Sequence, residues 1–117
     1  MMTSLHYLEF HPADHPVYLK KIGNWVITFL SPREDLTHIQ LAITSVLPRQ
    51  VSENLQPVRI IINQTEIENR WLIQQIICYN SAQGKDELFS CSDAIGIKVI
   101  ENLIEEFNKY DVELSLI

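Results

Sequence analysis

Residues 95–110 constrain the fold more than any other stretch of this chain. Set at about 100° per residue, Ile95, Ile97, Val99, Ile100, Leu103, Ile104, Phe107 and Tyr110 share one continuous half of a helical wheel. Lys98, Glu101, Asn102, Glu105, Asn108 and Lys109 take the other half. A helix with so wide an apolar stripe has to lie deep against a flat apolar surface, and a β-sheet offers one. Ser92 or Asp93 supplies the cap, and the partial alternation from Val112 to Ile117 reads as a strand of the same sheet.

The rest of the chain supplies material for that sheet. Leu5-His6-Tyr7-Leu8-Glu9-Phe10 is strand-forming, and the proline-containing segment His11 to Pro16 ends it as a loop. Val17 to Ile22 and Trp25 to Leu30 flank Gly23-Asn24, a dipeptide suited to the positive φ of a two-residue hairpin turn. Ser31-Pro32-Arg33-Glu34 matches a capping box with proline at the first helical position. Leu36, Ile39, Ile43, Val46 and Leu47 then recur at steps of mostly three and four before Pro48, which predicts a helix over residues 32–47. Val51 to Gln56 reads as a short loop or helical turn. Val58 to Asn63, β-branched and preceded by Pro57, reads as a buried central strand. Trp71 to Tyr79 fits helical spacing, but its β-branched and aromatic content and the turn from Asn80 to Gly84 favour a strand. Leu88-Phe89-Ser90 is a further short strand candidate. The expected fold is therefore a single α+β domain over residues 1–117, with a mixed or antiparallel sheet of five to six strands and two helices packed on one face.

Charge is placed unevenly along this sequence. The net of −6 arises wholly after Lys85, where Asp86, Glu87, Asp93, Glu101, Glu105, Glu106, Asp111 and Glu113 face only Lys98 and Lys109. A negative field repels phosphate backbones and attracts basic proteins, so the expected partner is a basic protein rather than nucleic acid. Plain solubility is the competing explanation. No segment approaches the ~20 apolar residues of a membrane span, and Met1 to Phe10 lacks the pattern of a secretion signal, so the cytoplasm is the expected compartment. Cys78 and Cys91 have no second pair to build a zinc site and read as thiols.

Few residues invite a chemical role. His6, His11 and His15, with Asp14, form the one cluster of potential metal ligands, but Pro12 and Pro16 deny it a helical spacing, and solvent-facing loop histidines are the simpler reading. Cys91 precedes the last helix, where amides and the helix dipole lower a thiol pKa, yet Asp93 opposes the thiolate and a small buried core residue is the ordinary role of a cysteine. The three glycines stand alone, so no phosphate loop exists. Glu34-Asp35, Asp86-Glu87 and Glu105-Glu106 are adjacent residues that point apart and make no glycosidase pair. Tyr7, Trp25, Trp71 and Tyr79 suit either an interface or the core. The phosphorylatable Asp-Ser-x-Gly turn of anti-sigma-factor antagonist domains is missing.

With no catalytic, cofactor or metal motif, the expected role is binding another protein. Its sharpest form is an immunity protein or antitoxin that covers the cleft of a basic, nuclease-type toxin domain through Asp86, Glu87, Glu101 and Glu105. The alternatives are a homodimeric or higher homo-oligomeric regulatory or scaffold protein, and an enzyme using Cys91 or the N-terminal histidines.

Overall fold

The computed structural model describes residues 6–11, 20–30, 39–47 and 49–117. Among them, eight strands form one curled antiparallel sheet, a half-barrel, and a single helix lies against it. The expectation of two helices on five to six strands is thereby corrected. Strand β1 (Tyr7–His11) is followed by the hairpin β2 (Lys20–Ile22) and β3 (Trp25–Phe29). Ile22 pairs with Trp25, leaving Gly23-Asn24 as a two-residue turn. Gly23 holds φ at +58°, and a Cβ there would collide with Glu106 and Tyr110, so the turn needs glycine both for its backbone and for the helix resting on it.

The helix expected over residues 32–47 is overturned in its second half, since β4 (Gln40–Ser45) is a strand between β3 and β5 (Leu55–Gln64). Ser31 to His38, with the capping box and Leu36, lie outside the described residues. The reason for the misreading is a degeneracy of spacing. Ile39 and Ile43 are four apart, which fits a helix face, but Leu41 between them is buried on the same side, and a step of two is a strand's period. Val46 and Leu47, the supposed last turn of that stripe, are exposed.

β5 is central but half-buried rather than wholly buried. Ile60 and Ile62 enter the core while Arg59, Ile61 and Asn63 face outward, with Pro57 accommodated where the register shifts against β6 (Arg70–Asn80). β6 is the hub. One of its edges pairs along its length with β5, while the other is shared, by β1 at Arg70 to Leu72 and by β7 (Lys85–Phe89) at Ile76 to Asn80. The strand β8 (Glu113–Leu116) closes the sheet's other end by pairing with β1.

The helix α1 (Ala94–Lys109) follows the centre of its wheel, while Ile95, Ile97 and Ile104 are only half-buried and Tyr110, past the helix end, is 58% exposed. Val99, Ile100, Leu103 and Phe107 are buried, and the side chain of Asp93 caps the first turn by accepting from Ile95 N at 2.8 Å. Gly96 lets the first turn sit close, because a Cβ would strike the Ser90 carbonyl oxygen. The buried side of α1 meets the sheet face that carries Leu8, Phe10, Ile27, Leu41, Ile43, Ile60, Ile62, Ile76 and Leu114 in one apolar cluster. Phe10 and Phe107 approach at 6.3 Å between ring centroids. Each such side chain contributes about 1.5–3 kcal/mol by leaving water, so this interface holds the sheet's curl in place.

Candidate functional site

The four acidic residues expected to bind a partner are not brought together. Pairing of Tyr79 with Asp86 puts Asp86 on the outer sheet face, away from α1. Glu87 pairs with the buried Cys78 and therefore lies on the opposite, core-side face, where its Oε2 accepts from Asn80 Nδ2 at 3.1 Å. Glu101 and Glu105 project from the exposed side of α1, one turn apart. The remaining acids of the C-terminal third are likewise dispersed. Asp93 caps the helix and Glu106 accepts from Asn24 N at 3.0 Å. A charge block in sequence has become a scattered set, several members of which hold the fold.

Glu106 marks the most structured polar site. A cavity of about 230 Å³ lies beside the second half of α1. The helix contributes Asn102, Glu105, Glu106 and Lys109; Arg49, Gln50, Val51 and Pro57 come from the approach to β5 and its start; Asn24, Trp25 and Ser45 come from the hairpin and β4. Asn24 is locked there. Its Nδ2 donates to Ser45 Oγ at 3.2 Å and to the Leu47 carbonyl at 2.6 Å, its Oδ1 accepts from Leu47 N at 2.7 Å, and its own carbonyl accepts from Val46 N at 2.8 Å. Sequence reading missed this site because Ser45 and Glu106 lie 21 and 82 positions from Asn24 and no local motif joins them.

A second polar cluster ties β1 to its neighbours on the outer face. Glu9 Oε2 receives the Arg70 guanidinium at 3.0 Å, and His11 Nε2 lies 2.9 Å from Glu9 Oε1 and 3.2 Å from Ser115 Oγ. The residue types are those of a hydrolase triad, but the geometry is not. One nitrogen cannot accept the serine proton while donating to the carboxylate; a triad histidine uses both ring nitrogens, one toward each partner. The cluster joins β1, β6 and β8 across cross-strand pairs.

Of the residues considered for metal binding, His6 is exposed ahead of β1, His11 belongs to the cluster just described, and Asp14 and His15 lie outside the described residues. Among the described residues no three potential ligands converge. Cys91 is buried, and its burial pushes the thiol up to about 11, the reverse of what a nucleophile needs. Cys78 is buried too, raised to about 11 by burial and then by the nearby Glu87 carboxylate. Trp25 and Trp71 are core residues, whereas Tyr79 is exposed at the outer face. Among the described residues no helix is long and apolar enough to cross a membrane. No family model, curated protein or solved structure matches this chain.

Proposed function

We propose that this chain acts by binding a basic protein through the exposed side of α1, in its sharpest form as an immunity protein or antitoxin against a nuclease-type toxin domain. The supporting observation is that, among the described residues, Glu101 and Glu105 neither cap nor brace another element. Both are exposed, and Glu105 meets Lys109 only at 3.9 Å. An exposed pair of this kind is worth about 0.3–0.5 kcal/mol and yields readily to a partner's cation. Asp86 and Glu87 leave this contact surface, since they stand on opposite faces of β7 away from the helix's outer side. The test is co-expression with the product of the neighbouring reading frame. Relief of its toxicity is expected, and Glu101→Lys with Glu105→Lys should slow association and remove most of its salt dependence. Association of the double variant at the wild-type rate would leave the helix as a solvated face and sink the proposal.

Self-association through the outer sheet face is a second reading, favoured by one observation. The register places Val26, Thr44, Arg59, Ile77 and Leu88 in a single row across five strands. Leu88 is 62% exposed, and the buried Arg59 Nε has no hydrogen-bond partner among the described residues. A second copy would cover the leucine. Light scattering decides it: a salt-insensitive dimer that Leu88→Asp converts to monomer supports this reading, and a wild-type monomer removes it.

A further inference from the structure

The cavity beside the second half of α1 gathers charges that do not neutralise one another. Glu105 and Lys109 touch only at 3.9 Å, and both side chains are largely exposed. Arg49, on the wall facing the helix, makes no ion pair or side-chain hydrogen bond among the described residues. Glu106 is the fixed member. Its Oε1 is committed to the Asn24 amide, and Asn24 is itself held by Ser45, Val46 and Leu47, which leaves Oε2 for another donor. A wall held this way loses little freedom when a ligand arrives.

We propose that this cavity binds a small zwitterion, an amino acid or a close chemical relative, with its carboxylate on Arg49 and its protonated amine on Glu105 and Glu106. The lining holds two carboxylates and two cations, so neither a bare anion nor a bare cation is matched by the whole site. A molecule with opposite charges at its ends is. The guanidinium fork takes a carboxylate through two parallel bonds, and Lys109 adds a further donor at the helix end. The volume of about 230 Å³ equals the space of roughly eight water molecules, which suits a compact amino acid. Val51 and Pro57, with the rim of Trp25, form the apolar part of the lining. Glu105 is shared with the helix face proposed above for a basic partner, whereas Arg49 and Glu106 are not, so variants at those two residues test the ligand apart from that reading.

Titration calorimetry of the full chain tests it, with glycine, glutamate, lysine and γ-aminobutyrate as probes beside their N-acetylated and carboxamide forms. At least one free zwitterion should saturate the protein, and blocking either end should weaken it about tenfold or more. Arg49→Gln and Glu106→Gln should each cause a comparable loss, while Glu66→Gln, on the exposed β5–β6 turn, should cause none. Glutamine at 106 keeps an acceptor for Asn24; should its melting temperature nonetheless fall, the exposed Arg49 variant decides. Blocked forms that bind as tightly as free ones, or no saturation by about 10 mM, would overturn the assignment.

Discussion

The segment around β4 and the helix α1 carry the same apolar residues at overlapping spacings, yet one is extended and the other coiled. Ile39 and Ile43 repeat at four, as do Val99 and Leu103. In α1 Ile100 is buried beside them, but the residue at a step of two, Glu101, is polar, and the far side offers Lys98, Glu101, Asn102 and Glu105 to water. In β4 the intervening Leu41 is fully buried, and even Ala42, on the outer face, is 3% exposed. A spacing of four belongs to both periods; what separates them is whether the residue at two is also apolar and whether a polar side remains for solvent. The cap reinforces the difference, because Asp93 engages the backbone of α1 directly.

If burial rather than helical or extended form sets the energetic weight of each region, truncations in the two should cost alike. Phe107→Ala should lose about 3–5 kcal/mol and Leu41→Ala about 2–5 kcal/mol in urea unfolding. A β4 truncation costing less than 1 kcal/mol would show that this strand is peripheral. The flanks of α1 offer a pH test, since Cys91 precedes it and Cys78 lies in the β6 strand beneath. Both thiols ordinarily titrate near 9.0 and are pushed up to about 11 here. Stability from keeping them neutral is complete below pH 9 and is lost as pH rises through 11. A melting temperature falling over that window, with thiol reagents at pH 8 reacting only after unfolding, is the expected result; prompt reaction of the native protein would contradict it.

The smaller effects probe local preference. Asp93→Ala should remove about 1 kcal/mol by stripping the N-cap of α1, read as a drop in the urea midpoint with unchanged slope. Thr44→Ala replaces a strand former with the best helix former. In a strand paired with Val26 and Arg59 it should destabilise by up to about 1 kcal/mol, whereas a helical segment would gain stability. The sign of that change alone separates the two conformations.

Legibility followed locality. The hairpin about Gly23-Asn24, the strand character of Trp71 to Tyr79, the turn after Asn80 and the whole of α1 with β8 could be read because turn residues, caps and periodicity act over a few neighbours. Residues 40–47 were misread because two periods coincide there. The sheet order could not be read at all: nothing in Leu8 or Phe10 says that their strand will lie between β6 and β8. The cavity shares that fate. Asn24 is recognisable as a turn residue, but its union with Glu106 across 82 positions depends on where α1 comes to rest. The charge asymmetry, conspicuous in one dimension, lost its coherence because consecutive strand residues point to opposite faces and several acids took up capping or bracing roles.

The position of β1 in this order has a consequence in time. Its partners are Arg70 to Leu72 and Glu113 to Leu116, so the first described strand finds no neighbour in the sheet until residue 70 has been made, and no second neighbour until residue 113 has. At a synthesis rate of about 5–20 residues per second, Leu8 and Phe10 wait on the order of seconds with their side chains uncovered. Closure between distant segments is also the slow step of β-rich chains. The β1–β8 pairing joins the segments farthest apart in the described sheet and should therefore form late, and the interval before it forms is when Leu8 and Phe10 are most open to aggregation or to capture by a chaperone.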